Sequence, residues 1–194
     1  DFVVVGDDLL RIERLIEEIL DYARYMKPNF SLESINEIVA SSLHFIEVKA
    51  NHLGISVAKQ LAEQLPPIMV DRQQIKQVLM NLVLNAIDAM GEQGGRLTVT
   101  TRHVTRLDGT RWIQIEVSDT GCGIEPADLP HIFDPFFTTK HESTEHAGTG
   151  LGLSIVHQII QEHAGTVEAR STVGQGTTFI LTLPEKTALD AAPA

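Results

Sequence analysis

The chain has 194 residues, 43% of them hydrophobic, enough for one good core or one core and a small appendage. A formal charge of −11 argues against a nucleic-acid surface, whose affinity comes largely from Lys and Arg on phosphates, and no stretch approaches the ~18 uninterrupted apolar residues of a membrane span. The single Cys122 excludes an intrachain disulfide and a cysteine zinc cluster and fits a reducing compartment, while the opening FVVV is too short, and lacks the basic flank, for a signal peptide.

From Asp7 to Met26 the apolar residues Leu9, Ile12, Ile16, Ile19, Ala23 and Met26 recur at spacings of three, four, three, four and three. That seam predicts one long amphipathic helix of about five turns, widened by Leu10, Leu15 and Leu20 and stopped by Pro28. It suits a helical bundle, and a helix packed on its own domain would carry the same pattern. Ser34 and Glu37 form a capping box ahead of Ile38, Val39, Leu43, Ile46 and Val48, which predicts a second helix ending over Asn51 to Gly54. Ile55 to Leu61 reads as a short strand, and Pro66 and Pro67 as a turn.

Asp71 and Gln74 cap the next helix, which Gly91 to Gly95 closes. Within it Val78, Leu79, Leu82, Val83, Ala86, Ala89 and Met90 cover more than one face, while Gln77, Asn81, Asn85 and Asp88 follow at intervals of four, four and three. Those intervals place the polar groups in one stripe. An unpartnered buried amide costs about 1–3 kcal/mol, so the stripe needs something polar to face: a ligand, or nearby backbone. Beyond the helix, Arg96 to Thr105 and Arg111 to Ser118 form a hairpin about Asp108 and Gly109. Helices mixed with antiparallel strands predict an α+β fold, a two-layer α/β sandwich with the helices on one face of a sheet.

The second hairpin strand runs into DTGCGI, Asp119 to Ile124, where Gly121 and Gly123 free the backbone for close approach to a ligand and Asp119 offers a fixed acceptor for a donor such as an amino group. An Asp-Thr-Gly turn also serves aspartic proteases, which need a second copy that this chain lacks. FDPFFTTK, Phe133 to Lys140, follows, and then GTGLGLSIV, Gly148 to Val156, leading into a helix whose Leu151, Ile155 and Ile159 face the core. Glycines opening a helix present amide protons to an anion, so this segment reads as a phosphate site. A dinucleotide-binding turn would need a strand before the first glycine, whereas the polar KHESTEHA stands there and reads as a mobile lid.

The blocks NLVLNAIDAM, DTGCGI, FDPFFTTK and GTGLGLSIV, in this order and at these spacings, resemble the N, G1, F and G2 boxes of the sensor histidine kinases of two-component systems. The likeness extends to the terminal GTTFILTLP and back to the helix over 7–26. It implies the Bergerat ATP-binding fold shared with gyrase, Hsp90 and MutL, with residues 1–28 as the second helix of a dimerisation hairpin, 29–185 as the catalytic domain and 186–194 as a flexible tail. By resemblance Asn85 ligates Mg²⁺, Asp119 accepts the adenine amino group, and Gly123 lines the base pocket. Asn81, Ala89, Gly121 and Ile124 complete that side, with Thr177 or Thr178 supporting adenine through water. Gly148, Thr149, Gly150, Leu151 and Gly152 approach the triphosphate, and Lys140 reaches its terminal phosphate.

The family's phosphoacceptor histidine precedes an acidic residue on the first hairpin helix, and none of the eight histidines here fits; His141 precedes Glu142 but lies in the lid. The resemblance therefore implies a kinase domain that donates the γ-phosphoryl group of Mg·ATP to a hairpin not present in this chain. It also implies a response-regulator partner, a homodimeric parent and a cytoplasmic location. An ATPase clamp or chaperone-type domain of the same fold, or a nucleotide-binding regulatory module, are the alternatives. The hydrolytic members carry a general-base Glu one helical turn before the metal-binding Asn, where this chain has Asn81, an amide unable to take a proton near neutral pH.

Overall fold

The computed structural model describes residues 27–139 and 150–186. The helix expected over 7–26, Lys140 and the lid to Ala147, Gly148, Thr149 and the tail beyond 186 lie outside the described residues. In chain order the elements are β1 (Ser31–Glu33), α1 (Ile35–His52), β2 (Ile55–Leu61), β3 (Ile68–Val70), α2 (Arg72–Met90), β4 (Gly95–Thr105), β5 (Arg111–Asp119), α3 (Gly152–Glu162), β6 (Thr166–Thr172) and β7 (Gly176–Pro184).

Local chemistry accounts for the helix boundaries. Ser34 Oγ accepts from the Glu37 N–H at 3.4 Å and opens α1. Asp71 Oδ1 accepts from the N–H groups of Gln73 at 2.9 Å and Gln74 at 3.0 Å, so one carboxylate oxygen satisfies two orphan donors of α2. Gln74 contributes only that backbone proton to the cap; its side-chain oxygen is buried without a partner among the described residues. Gly91, at φ 54°, ends α2 in a conformation that penalises any side chain.

The large sheet runs β2-β4-β5-β7-β6. Three of its pairs are antiparallel, as expected of the mixed fold, and β2 and β4 are parallel, a pairing on which the sequence was silent. The connection between them contains β3 and all of α2, long enough to carry the chain back across the layer. The sequence reading also missed β1 and β3, which form a separate antiparallel ribbon. At three residues each, they are too short to show alternation.

Period-two alternation sorts the sheet residues onto two faces. Leu97 and Val99 of β4, Ile113, Ile115 and Val117 of β5, and Phe179, Leu181 and Leu183 of β7 join one core with Ile38 and Val39 of α1, Val78, Leu79 and Leu82 of α2, and Val156 and Ile159 of α3. The opposite face is polar: Arg102 pairs with Glu116 and bonds Gln114, Gln114 reaches Thr182 at 3.4 Å, and Ser118 meets Thr178 at 2.8 Å. The fold is thus the expected two-layer sandwich. Leu82 is fully buried, so Leu82→Ala is expected to lower the unfolding free energy by about 2–5 kcal/mol. Thr100→Ala on the polar face should change it by less than about 0.5 kcal/mol, both read by urea unfolding of the whole chain.

Candidate functional site

The polar stripe of α2 lies along the rim of the core. Ile75, Val78, Leu79, Leu82, Val83, Ala86, Ile87 and Met90 are buried, whereas Gln77, Asn81, Asn85 and Ala89 are half-buried and Asp88 is exposed. Asn81 Nδ2 donates to the Gly152 carbonyl at 3.1 Å, tying the stripe to the first residue of α3. Backbone thus answers part of the question the stripe raised. Asn85, one turn on, is half-buried and makes no side-chain hydrogen bond among the described residues. A further turn on, the Ala89 carbonyl accepts from the Cys122 N–H at 3.0 Å. The stretch from Asn81 to Ala89, about 12 Å of helix, therefore connects the start of α3 to the turn after β5 with Asn85 between them.

At that turn Asp119 is 6% exposed. Its Oδ1 accepts from the N–H of Gly121 at 2.8 Å and of Thr177 at 3.3 Å, leaving Oδ2 unpartnered among the described residues. Burial pushes the carboxyl above its ordinary range, against the pull of those two N–H groups. The glycines of the turn answer to the protein's own backbone. A Cβ on Gly121 would stand 2.6 Å from the Ala89 carbonyl, and one on Gly123, at φ +75°, would stand 2.3 Å from the Thr172 oxygen.

Ser171 organises the far side of this turn. Its hydroxyl receives the Ile124 N–H at 2.8 Å, donates to the Gly176 carbonyl at 2.9 Å and contacts Thr177 Oγ1 at 2.9 Å. The sequence reading missed Ser171, because nothing in a β-strand serine announces contacts with residues 47 positions away. Thr177 belongs to this network beside Asp119, whereas Thr178 pairs with Ser118 on the polar face. Strand alternation therefore removes Thr178 from the candidate site.

Gly150, at φ +72°, packs on the Phe136 backbone, where a Cβ would meet the carbonyl carbon at 2.5 Å, and its own carbonyl accepts the Phe136 N–H at 2.9 Å. Leu151 is 1% exposed and sits in the core, so a ligand can meet only its backbone. Gly152 differs from the other glycines. It lacks a positive φ, and among the described residues a Cβ there would meet nothing closer than Asn81 Cγ at 3.9 Å. Packing against the described residues therefore does not account for a glycine at this position. Among the described residues the first turn of α3 has no side-chain cap and no acidic residue, so no described side chain competes with an anion for its leading N–H groups and the positive end of the helix dipole.

Residues 70–187 match the family described as histidine kinase-, DNA gyrase B-, and HSP90-like ATPase. The chain is 32% identical to the catalytic domain of histidine kinase ThkA, with a TM-score of 0.69, covering 81% of this chain and 97% of that one. The chain belongs to this ATPase family, as a sensor histidine kinase catalytic domain. It is 35% identical over 181 residues to sensor histidine kinase ZraS of Escherichia coli (strain K12), covering 93% of this chain but 37% of ZraS, so it spans little more than a third of that relative. Full-length ShkA in complex with AMPPNP superposes with a TM-score of 0.78 at 28% identity, covering 98% of this chain and 38% of that one. ThkA in complex with response regulator protein TrrA gives 0.75 at 30% identity, covering 94% and 50%.

The described histidines of this domain all have protein partners. His52 bonds the Val48 carbonyl, His103 Glu185, His131 Asp134, His157 Gln161 and His163 the Ile159 carbonyl, and His44 also has a partner. Asp119 supplies a pH signature. Its folded pKa lies above the unfolded value, so its contribution to stability is present below that value and is lost as pH rises through the folded one. Asp119→Asn removes the buried charge. Thermal unfolding should therefore show the variant gaining on the wild type between pH 4 and pH 7; a constant difference would contradict the burial argument.

Proposed function

We propose that this chain binds Mg·ATP in the cleft between α2 and α3 and donates the γ-phosphoryl group to a histidine on a helical hairpin. The observation that carries the reading is the start of α3, without a side-chain cap among the described residues and held against the α2 amide stripe by the bond from Asn81 to Gly152. Phosphate oxygens would meet the first-turn N–H groups where Gly152 leaves room, and Asp119 Oδ2, fixed through its sister oxygen, would accept the adenine amino proton at the far end. Gly148, Thr149 and Lys140 are assigned to the phosphate side by their motif positions, with Lys140 at the terminal phosphate.

Among the described residues no three His, Cys, Asp or Glu side chains gather for a metal. The neutral Asn85 oxygen is a hard ligand of the kind Mg²⁺ accepts alongside water and phosphate, and like Gln77 it has no side-chain hydrogen bond among the described residues. When bound, Mg²⁺ supplies charge neutralisation across the phosphates. Asn81 favours transfer over hydrolysis: one turn before Asn85 stands an amide already donating to Gly152, and no carboxylate is placed there to deprotonate water. What this chain contributes to transfer is positioning and anion binding.

The acceptor hairpin, completed by the segment before residue 29, a homodimeric parent and a cytoplasmic setting belong to this proposal, as does a response-regulator partner, for which the ThkA complex with TrrA is the precedent. Among the described residues no helix is long and apolar enough to cross a membrane.

Calorimetric titration with ATP and Mg²⁺ tests the site. Asn85→Ala should weaken binding by about tenfold or more, and Gly152→Ala by about tenfold through lost space, without loss of thermal stability. Unchanged affinity in both variants would remove the assignment. Incubation of the chain alone with labelled ATP should give no acid-labile phosphohistidine, and adding a separate hairpin that bears the family's histidine motif should give label on the hairpin. Stable label on any histidine of this chain would overturn the reading that its acceptor lies on a separate hairpin and that its own histidines are bystanders.

A further inference from the structure

α2 and α3 are fastened to each other at two points. Near the candidate site Asn81 Nδ2 donates to the Gly152 carbonyl at 3.1 Å, and at the far end the Asp71 N–H donates to His163 Nε2 at 3.0 Å. The stretch between the fasteners is about 15 Å on α2 and about 16 Å on α3, a match that two antiparallel rods require. His163 immediately follows α3, is 5% exposed, and lies in none of the motif blocks that define the site.

Its protonation state follows from its partners. Nδ1 lies 2.8 Å from the Ile159 carbonyl, which can only accept, so Nδ1 carries the proton and Nε2 is bare to receive the Asp71 N–H. Burial lowers the affinity of the ring for a second proton, against the opposing fields of Asp71 from α2 and Glu162 from α3. The Phe30 ring stands edge-on to the imidazole at 5.0 Å from the entering segment. Asp71 is fully engaged as well: Oδ1 caps α2 and Oδ2 receives the Asn29 N–H at 2.7 Å. The entering chain, the start of α2 and the end of α3 thus meet at one node.

We propose that His163 is a positioning residue for nucleotide binding: by accepting the Asp71 N–H it holds α2 and α3 in register, so that Asn81, Asn85 and the start of α3 keep the spacing the phosphates need. The proposal rests on the reading of the α2–α3 cleft as the nucleotide site. Because Asn29 and Phe30 bind the same node, a shift of the entering chain bears on that register through His163.

Two substitutions separate this role from simple packing. His163→Gln offers an amide oxygen near the place of Nε2 and retains the acceptor for Asp71, whereas His163→Asn reaches only as far as Nδ1 and retains the Ile159 contact alone. With the whole chain folded, Mg·ATP affinity at pH 8 should be within about twofold of wild type for His163→Gln and weaker by about three- to tenfold for His163→Asn. Wild-type affinity in His163→Asn, or equal losses in both variants, would overturn the proposal.

Reciprocity provides a second measurement on the wild-type chain, informative even if a variant fails to fold. Saturating Mg·ATP should slow NMR-detected exchange of the Asp71 amide by about three- to tenfold, although it lies about 15 Å along α2 from Asn81. Unchanged exchange there, with binding intact, overturns the coupling alone; absence of nucleotide binding by the wild type overturns the site reading and this proposal with it.

Discussion

The burial of α2 is the constraint on which the domain depends. Ile75, Val78 and Leu82 are fully buried between the sheet and the flanking helices, and each such side chain is worth about 1.5–3 kcal/mol in apolar transfer. The same helix carries Asn81, Asn85 and Ala89 along the rim. A packed side and a polar rim on one rigid rod give the site its precision, since Asn85 cannot move without shifting the core that seats it. The adjoining helix is then placed by two hydrogen bonds whose partners lie far apart in sequence.

Charge is handled locally in a chain of net charge −11. The start of α3 carries no acidic residue, and Asp119, the buried carboxylate of the site, stands at the other end of the α2 face. On the proposed reading, an anion at α3 would meet N–H groups and a helix dipole rather than a carboxylate, a local arrangement suited to an acidic chain. Asp119 in turn is kept costly. Its burial disfavours the charge a donor would stabilise, a local expense of stability of the kind functional sites carry.

The glycines divide along the same line. Gly121, Gly123, Gly150 and Gly176 would each drive a Cβ into protein backbone, so their absence of a side chain serves the fold that shapes the cleft. Gly152 meets no such obstacle, and the room it leaves lies beside Asn81. The glycine pattern read from the sequence thus divides into positions where backbone packs too closely for a Cβ and one, Gly152, where among the described residues it does not.

Much of this was legible in the residues alone. The capping residues Ser34 and Asp71, strand β2 over Ile55–Leu61, the β4–β5 hairpin, the polar stripe of α2 and the motif order that marks the kinase family all rest on local chemistry or on short-range periodicity, which a linear chain displays. Tertiary structure decided the parallel pairing of β2 with β4, the ribbon of β1 and β3, the placing of Thr178 on the polar face, the bond that engages Asn81, and the contacts of Ser171 and His163. Each of these depends on a partner brought close only by the folding of distant segments: a hydrogen bond spanning 92 positions, such as that between Asp71 and His163, leaves no periodic trace in the order of the residues.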